Sequence, residues 1–460
     1  MLKKLGQELS SHDVRTTFAD ARFPAPFAEG LEFSSPARGT WNIVHTGFLI
    51  PEAHEIFVCA RGCLRGVVLT AAEANALSRY SAIEICEENI LDGSMEKLMI
   101  EGVADVLRKL PYRPRAVLLY ISCQHFFMAY DQAHVFSELR ARFPDIRFAD
   151  CYMIPTLRKS GITPDQKMRI QLYSMLEPQA PTNSSAKAAT EPKPVPKNIN
   201  HIGSNLPIHP YSELLPWLLA NGIRLTSLHD CRTFDEYLAM ASASANVYYE
   251  PLASMAARDL EKRLRQEAIY LPFVFDREGL CENYQMLAEK LSIPLPDTRP
   301  FEEAAKQALR HAKNVIGDTP IVVDYTFTFR ILNFTRMLLS HGFHVTEVYA
   351  DSFLPEEEAD FLWIREHFPK IAIWSTNRPK MRFAERGRGN AETSCRLLAI
   401  GQKAAYFTST DYFVNVAESG GYYGFGGIRE IARLMAEAFT KKKDARDLIQ
   451  RKGWLCPSCL

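Results

Sequence analysis

The chain has 460 residues, 54 Lys plus Arg against 54 Asp plus Glu, and 47% apolar residues. This balance is typical of a globular protein with more than one hydrophobic core. It excludes the basic bias of proteins that bind polyanions, so we expect no nucleic-acid partner.

The sequence predicts a cytoplasmic protein with no membrane partner. Its first 20 residues lack the apolar core of a signal peptide, and no apolar run reaches the about 18 residues that a membrane helix needs. In a reducing compartment the ten cysteines are not expected to form disulfides, so clustered ones indicate metal or redox chemistry. Cys86, Cys281 and Cys395 stand alone and are expected to be packing residues.

Three strand-like runs near the start of the chain are each followed by cysteine. Cys59 and Cys63 follow "EIFV", Cys123 follows "AVLLYIS", and Cys151 follows "DIRFAD". Thiolates on loops at strand ends can ligate an iron–sulfur cluster, since each iron takes a soft anionic ligand. Alternatively, small apolar cysteines finish buried strands. For the set Cys59, Cys63 and Cys123 we favour the cluster.

The alternation of short β-branched runs with helical patterns predicts an α/β fold of three doubly wound, Rossmann-like domains with parallel sheets. We predict a first domain at residues 1–176, a second at 199–315 and a third at 316–445. Residues 177–198, rich in Pro, Ala, Ser and Lys, are expected to be a flexible linker, and residues 446–460 a tail.

Two features late in the chain could bind ligands. The loop "NRPKMRFAERGRGN" contains Arg378, Arg382, Arg386 and Arg388 and could hold an anion. A solvated basic loop is the favoured alternative.

The tail "GWLCPSCL" contains Cys456 and Cys459, spaced as in a zinc or cluster site. One such pair supplies half of a four-ligand site and needs a second pair or a partner chain. Two incidental thiols on a tail are the equal alternative.

Several motifs, in order along the chain, resemble the nitrogenase component 1 family. They are "CARGCLRG", "ISCQHFFMAYD", "HIGSNLPIHPYSELLPWLLANGIRL" and "ESGGYYGFGGIREIARLM". The resemblance implies a shared cluster, 4Fe-4S or of the 8Fe-7S P-cluster type, at the interface of two homologous subunits. Cys63 and Cys123 would be ligands by register. Thr40 stands in the region where the family has an upstream cysteine, so we expect Cys59 to supply that thiolate.

The family's catalytic cofactor is held by a cysteine and a histidine, and this chain departs from both. The resemblance places Tyr248 or Tyr249 at the cysteine, Tyr423 at the histidine, and Ile162 at a proton-delivering histidine. A protonated phenol is a poor cluster ligand, so the usual site looks absent. Cys231 is a candidate replacement ligand, although a simple loop thiol is favoured.

The leading interpretation is therefore an oxidoreductase subunit of the nitrogenase-like group. It would assemble with a homologous component 1 subunit, as a heterotetramer, and receive electrons from an ATP-dependent iron protein. Its substrate would be a small molecule, with a methylthio-alkane favoured. It would act as the β-like subunit, with a nitrogenase-type cofactor in this chain or its partner. The alternatives are a cofactor-assembly scaffold of the same fold and a metal-free α/β protein that binds a metabolite or sugar nucleotide.

Overall fold

The computed structural model describes residues 14–27, 43–154, 162–178, 197–383 and 396–444. Three sheets built mainly from parallel strands, with helices between the strands, confirm the predicted α/β class. No described helix is long and apolar enough to cross a membrane.

Fourteen strands are assigned in the described residues. In chain order they are β1 Arg15–Thr17, β2 Ala53–Cys59, β3 Tyr80–Glu84, β4 Ala116–Ser122, β5 Arg147–Met153, β6 Lys197–His201, β7 Ile223–Ser227, β8 Ala245–Tyr248, β9 Glu267–Tyr270, β10 Ile321–Asp324, β11 Val345–Tyr349, β12 Ala372–Trp374, β13 Leu398–Ile400 and β14 Phe413–Val414.

Sixteen α-helices connect and cover these strands within the same residues. They are α1 Ile43–Gly47, α2 Arg61–Glu73, α3 Glu87–Leu91, α4 Met95–Lys109, α5 Cys123–Phe127, α6 Gln132–Arg142, α7 Pro164–Tyr173, α8 Leu214–Ala220, α9 Phe234–Ala239, α10 Ser254–Leu264, α11 Arg277–Leu291, α12 Arg299–Ile316, α13 Ile331–Ser340, α14 Glu358–His367, α15 Gln402–Thr408 and α16 Gly424–Thr440.

The first sheet has the strand order β3-β2-β4-β5 and is parallel throughout. The two central strands, β2 and β4, are buried along their whole length, as expected for strands covered by helices on both faces. Alternate residues of β2 enter different cores: Phe57 packs with Tyr120 on one face, and Val58 packs with Leu119 on the other.

The second and third sheets are also doubly wound. The second has the order β7-β6-β8-β9 and is parallel throughout. The third has the order β1-β12-β11-β10-β13-β14, and its edge strand β1 runs antiparallel to β12. The start of the chain therefore contributes a strand to a sheet whose other members begin at Ile321.

The chain divides into two compact units. One comprises residues 35–207 and 217–272 and contains the first two sheets. The other comprises residues 1–34, 208–216 and 273–460 and contains the third. Most of the predicted linker, 177–198, lies outside the described residues, and the domain boundaries drawn from the sequence stay predictions.

Candidate functional site

Four cysteines lie at the carboxyl end of the first sheet, and we call this group the thiol edge. Cys59 is the last residue of β2, Cys63 lies in the first turn of α2, Cys123 is the first residue of α5 after β4, and Cys86 precedes α3 after β3. Because β3, β2 and β4 are adjacent, their ends lie within about 10 Å of one another at the usual strand spacing.

The four thiols differ in exposure. Cys63 and Cys86 are exposed and Cys123 is half-buried, whereas Cys59 is 0% exposed and belongs to a hydrophobic core. The position of Cys86 differs from the expectation of a packing residue. Its only sequence signal was its place just after a strand.

The three predicted ligands interact electrostatically. Burial, with smaller contributions from the neighbouring thiols of Cys63 and Cys123, raises the pKa of Cys59 to about 12. Cys63 is exposed at the surface, but partial desolvation of its thiol and the neighbouring Cys123 raise its pKa. Thiolates at these positions would repel one another, and the positive charge of bound iron would offset that repulsion.

The thiols of Cys63 and Cys123 come from separate segments of the chain. Among the described residues, no three His, Cys, Asp or Glu side chains converge closely enough to hold one metal ion. In an iron–sulfur cluster each thiolate binds a different iron, so its ligands come from separate segments and lie further apart. Cys63 and Cys123, on neighbouring strand ends, fit that requirement.

The surface next to Cys123 is apolar. Phe126 is 53% exposed, Phe127 67% and Met128 48%, and we call these three residues the aromatic ledge. Apolar residues that are exposed together, and not singly, are the kind of surface that an interaction partner covers. The fourth cysteine that follows a strand-like run, Cys151, lies inside β5 with its side chain in the core.

The phenol at one predicted cofactor position is buried and hydrogen-bonded. Tyr249 is 1% exposed, its hydroxyl shares a hydrogen bond of 2.7 Å with Ser204 Oγ, and its ring packs at 4.7 Å from that of His201. Tyr248 is only half-buried. Tyr249 is thus a core residue of the second sheet's carboxyl edge.

The phenol at the other predicted cofactor position is also a core residue. Tyr423 is fully buried, its hydroxyl accepts a hydrogen bond of 3.0 Å from Asn283 Nδ2, and its ring meets Phe273 edge-on at 5.6 Å. Burial raises its pKa, so the phenol stays protonated.

Cys231 follows β7 at the carboxyl edge of the second sheet. Its side chain is buried and its thiol donates to the Ser227 carbonyl at 3.6 Å. Burial, assisted by Asp230, raises the thiol pKa to about 11. The thiol is therefore protonated and hydrogen-bonded as the structure stands.

In the unit that contains the third sheet, two helices begin at or just after a glycine, and a buried acidic side chain accepts hydrogen bonds from the first backbone amides of each. Glu213, 2% exposed, accepts hydrogen bonds from Phe425 N at 2.7 Å, Gly426 N at 2.9 Å and the Tyr284 hydroxyl at 2.7 Å. A Cβ on Gly426 would lie 1.9 Å from the Tyr211 carbonyl oxygen. The amides at the start of α16 are therefore already hydrogen-bonded to a carboxyl group of the protein.

The second such start is that of α15. Asp324 accepts hydrogen bonds of 2.6 Å from both Thr326 N and Ala404 N. Gly401 has φ +111°, and a Cβ there would lie 2.2 Å from the Asp324 carboxylate. In nucleotide-binding folds the amides at a helix start bind phosphate, whereas here they bind the Asp324 side chain of the protein itself. Sequence reasoning missed both carboxylates, although glycines flanking each helix start were the available signal.

The remaining predicted site residues are largely outside the described residues. Arg378 is described and its guanidinium lies 5.5 Å from the ring centre of Phe27, and Ile162 is exposed. The positions about whose side chains nothing is described are Thr40, Arg382, Arg386, Arg388, Cys395, Cys456 and Cys459.

Comparisons with known proteins identify the fold. No protein-family model matches the chain, and no curated protein matches it. Among solved structures, it is similar to nitrogenase Cp1 at pH 6.5, with a TM-score of 0.62 and 12% identity over 98% of this chain and 96% of that one. It is also similar to nitrogenase Cp1 at pH 5, with a TM-score of 0.54 and 14% identity over 93% and 94% of the two chains. The protein therefore has a nitrogenase-like fold over almost its whole length.

Proposed function

We propose that this protein is a subunit of a nitrogenase-like reductase. It binds an iron–sulfur cluster, 4Fe-4S or 8Fe-7S, where it meets a homologous subunit, and it relays electrons from an ATP-dependent iron protein toward a small-molecule substrate. The supporting observation is the pair of accessible thiols, Cys63 and Cys123, on neighbouring strand ends of a nitrogenase-like fold.

Two thiols of the thiol edge and the aromatic ledge beside them would each have a physical task. Cys63 and Cys123 would hold the cluster, which supplies one-electron transfer when bound. The aromatic ledge beside Cys123 would be covered by the partner subunit. Its burial would exclude water from the cluster and lower the local dielectric, two factors that tune the reduction potential of such centres.

The two phenols support assignment as the β-like subunit. Tyr249 and Tyr423 are buried, and each hydroxyl has a hydrogen-bond partner within the protein. Neither offers a soft anionic ligand, so we propose that substrate reduction takes place in the partner chain. A cofactor anchored here by Cys231 is the alternative, and it requires that thiol to leave its bond to the Ser227 carbonyl.

The substrate is proposed at the level of class. Methylthio-alkane reduction rests on the overall resemblance and not on any contact of the described residues. The assembly-scaffold alternative has the same fold and the same thiols, so turnover alone separates it from a reductase. The sugar-nucleotide alternative is disfavoured at the starts of α15 and α16, because Asp324 and Glu213 occupy the amides that would bind phosphate.

The test is anaerobic purification of the chain co-expressed with its genomic neighbours. We expect iron and acid-labile sulfide in the protein, a paramagnetic signal on reduction, and consumption of ATP and reductant when a methylthio-alkane is supplied with the iron protein. Protein without iron would reject the reductase. Iron without substrate-dependent turnover would favour the scaffold.

A further inference from the structure

The thiol edge is arranged around β2. Its neighbours on either side, β3 and β4, each lead into a five-residue helix that starts at a cysteine: Cys86 caps α3, and Cys123 is the first residue of α5. Cys63 lies between them in the first turn of α2. Three successive strand ends of one parallel sheet thus present a thiol on the same edge.

Exposure separates Cys86 from Cys59. Cys86 is exposed, whereas Cys59 is 0% exposed and packs in the same core as Phe57 and Val67. A ligand thiolate has to reach an iron that lies outside the polypeptide core. Cys59 could do so only if the end of β2 moved, and a buried free cysteine behaves as a small apolar packing residue.

Backbone and side-chain contacts place Cys86 beside the helix that carries Cys63. Ile85 N donates to Cys59 O at 3.1 Å, so the pairing of β3 with β2 continues up to the residue before Cys86. Arg61, two residues before Cys63, binds Glu84 through two hydrogen bonds of 2.9 and 3.1 Å and interacts electrostatically with Cys86.

Given the iron–sulfur function proposed above, we propose that Cys86 supplies the third thiolate of the cluster in place of Cys59. Cys63, Cys86 and Cys123 then bind three different irons, each from its own strand end. Each thiol loses its proton on binding. Cys59 remains a core residue, and the partner subunit supplies the ligands that complete the cluster.

Iron content of four variants tests the assignment. In the co-expressed protein, Cys86→Ala and Cys63→Ala should each lose most of the iron, whereas Cys59→Ala should keep it. Cys281 is a half-buried cysteine on α11. The variant Cys281→Ala is the matched control and should also keep its iron. If Cys59→Ala loses iron and Cys86→Ala keeps it, the ligand proposal is wrong and the cluster function stands. If no variant loses iron, both proposals fail.

Alkylation provides a second readout that does not depend on the variants folding. Iodoacetamide followed by peptide mass spectrometry should label Cys86 in iron-depleted protein and leave it unlabelled in iron-loaded protein. Cys59 should stay unlabelled in both states because it is buried in each. Labelling of Cys86 to the same extent in both states would overturn the proposal.

Discussion

Burial decides what each cysteine of the first sheet can do. Cys59 and Cys151 are in the core, where burial raises the pKa of both thiols and keeps them protonated. Cys63 is exposed and Cys123 half-buried. The thiolate is the form that binds metal. Cys59 and Cys151 are therefore packing residues, and Cys63 and Cys123 are candidate ligands.

At this scale the first prediction concerns Cys63 and Cys123. Cys63→Ala and Cys123→Ala should each remove most of the bound iron, because a cluster that lacks a thiolate is open to water and oxidation. Iron per chain and the paramagnetic signal are the measurements, with Cys281→Ala as the control. Full iron content in both variants would defeat the assignment.

The second prediction concerns the two phenols. Tyr249→Phe and Tyr423→Phe should leave iron content and electron uptake nearly unchanged, because each hydroxyl is hydrogen-bonded to another side chain of the protein. Each change should cost about 1 kcal/mol of folding stability for the lost hydrogen bond. Cys231→Ala should likewise keep substrate reduction. Loss of reduction in that variant, with the cluster signal preserved, would make this chain the cofactor-binding subunit.

At the scale of elements, glycine is required where a helix start meets another backbone segment. Gly426→Ala should destabilise the protein by about 3 kcal/mol, since its Cβ would lie 1.9 Å from the Tyr211 carbonyl oxygen and the helix start would have to move. Gly66→Ala is the control. It lies inside α2 with nothing within 4 Å of its Cβ position, so alanine should stabilise by up to about 1 kcal/mol. Similar unfolding midpoints for the two variants would contradict the packing of α16.

The start of α13 carries a pH-dependent contribution to stability. Glu357 accepts hydrogen bonds from Leu332 N at 2.8 Å and Asn333 N at 3.2 Å, and burial raises its pKa from 4.5 to about 7. The folded state therefore binds this proton more tightly than the unfolded state. The stabilisation of the folded state by the bound proton is complete below pH 4.5 and is lost as pH rises through 7.

The expected outcome is a difference between two unfolding curves. From pH 5 to pH 8 the wild type should lose about 2 kcal/mol more stability than Glu357→Gln, which has no titratable group at that position. The comparison cancels the histidines, which titrate in both proteins. Equal pH dependence in the two proteins would show that the pKa of the Glu357 carboxyl is not raised in the folded state.

For the whole molecule, the prediction is assembly. In the proposed function, three thiolates from this chain would not complete a large cluster, so we expect the remaining ligands from a second subunit across an interface that includes the aromatic ledge. Light scattering of the iron-loaded protein should give a mass well above the 52.2 kDa of one chain.

Phe127→Glu should weaken the assembly by placing a charge in the interface, with Leu219→Glu, also exposed, as the control. A single species of chain mass would contradict the proposal.

The sequence by itself determined the fold class and part of the candidate site. Buried strands of a parallel sheet read as apolar runs, and helices read as amphipathic patterns, so local pattern sufficed to predict three α/β sheets. The place of Cys63 and Cys123 at the carboxyl edge followed from the same pattern, because parallel strands end on one side.

Only the tertiary structure decided which cysteines reach the surface, because burial depends on what distant segments pack over a position. Cys59 and Cys86 both stand at strand ends, yet one enters a core and the other is exposed. The same holds for contacts between residues far apart in the chain: β1 pairs with β12, and Glu213 caps α16. A local pattern specifies how a segment folds and which face is apolar, but the partner of that face is chosen by the packing of the whole chain.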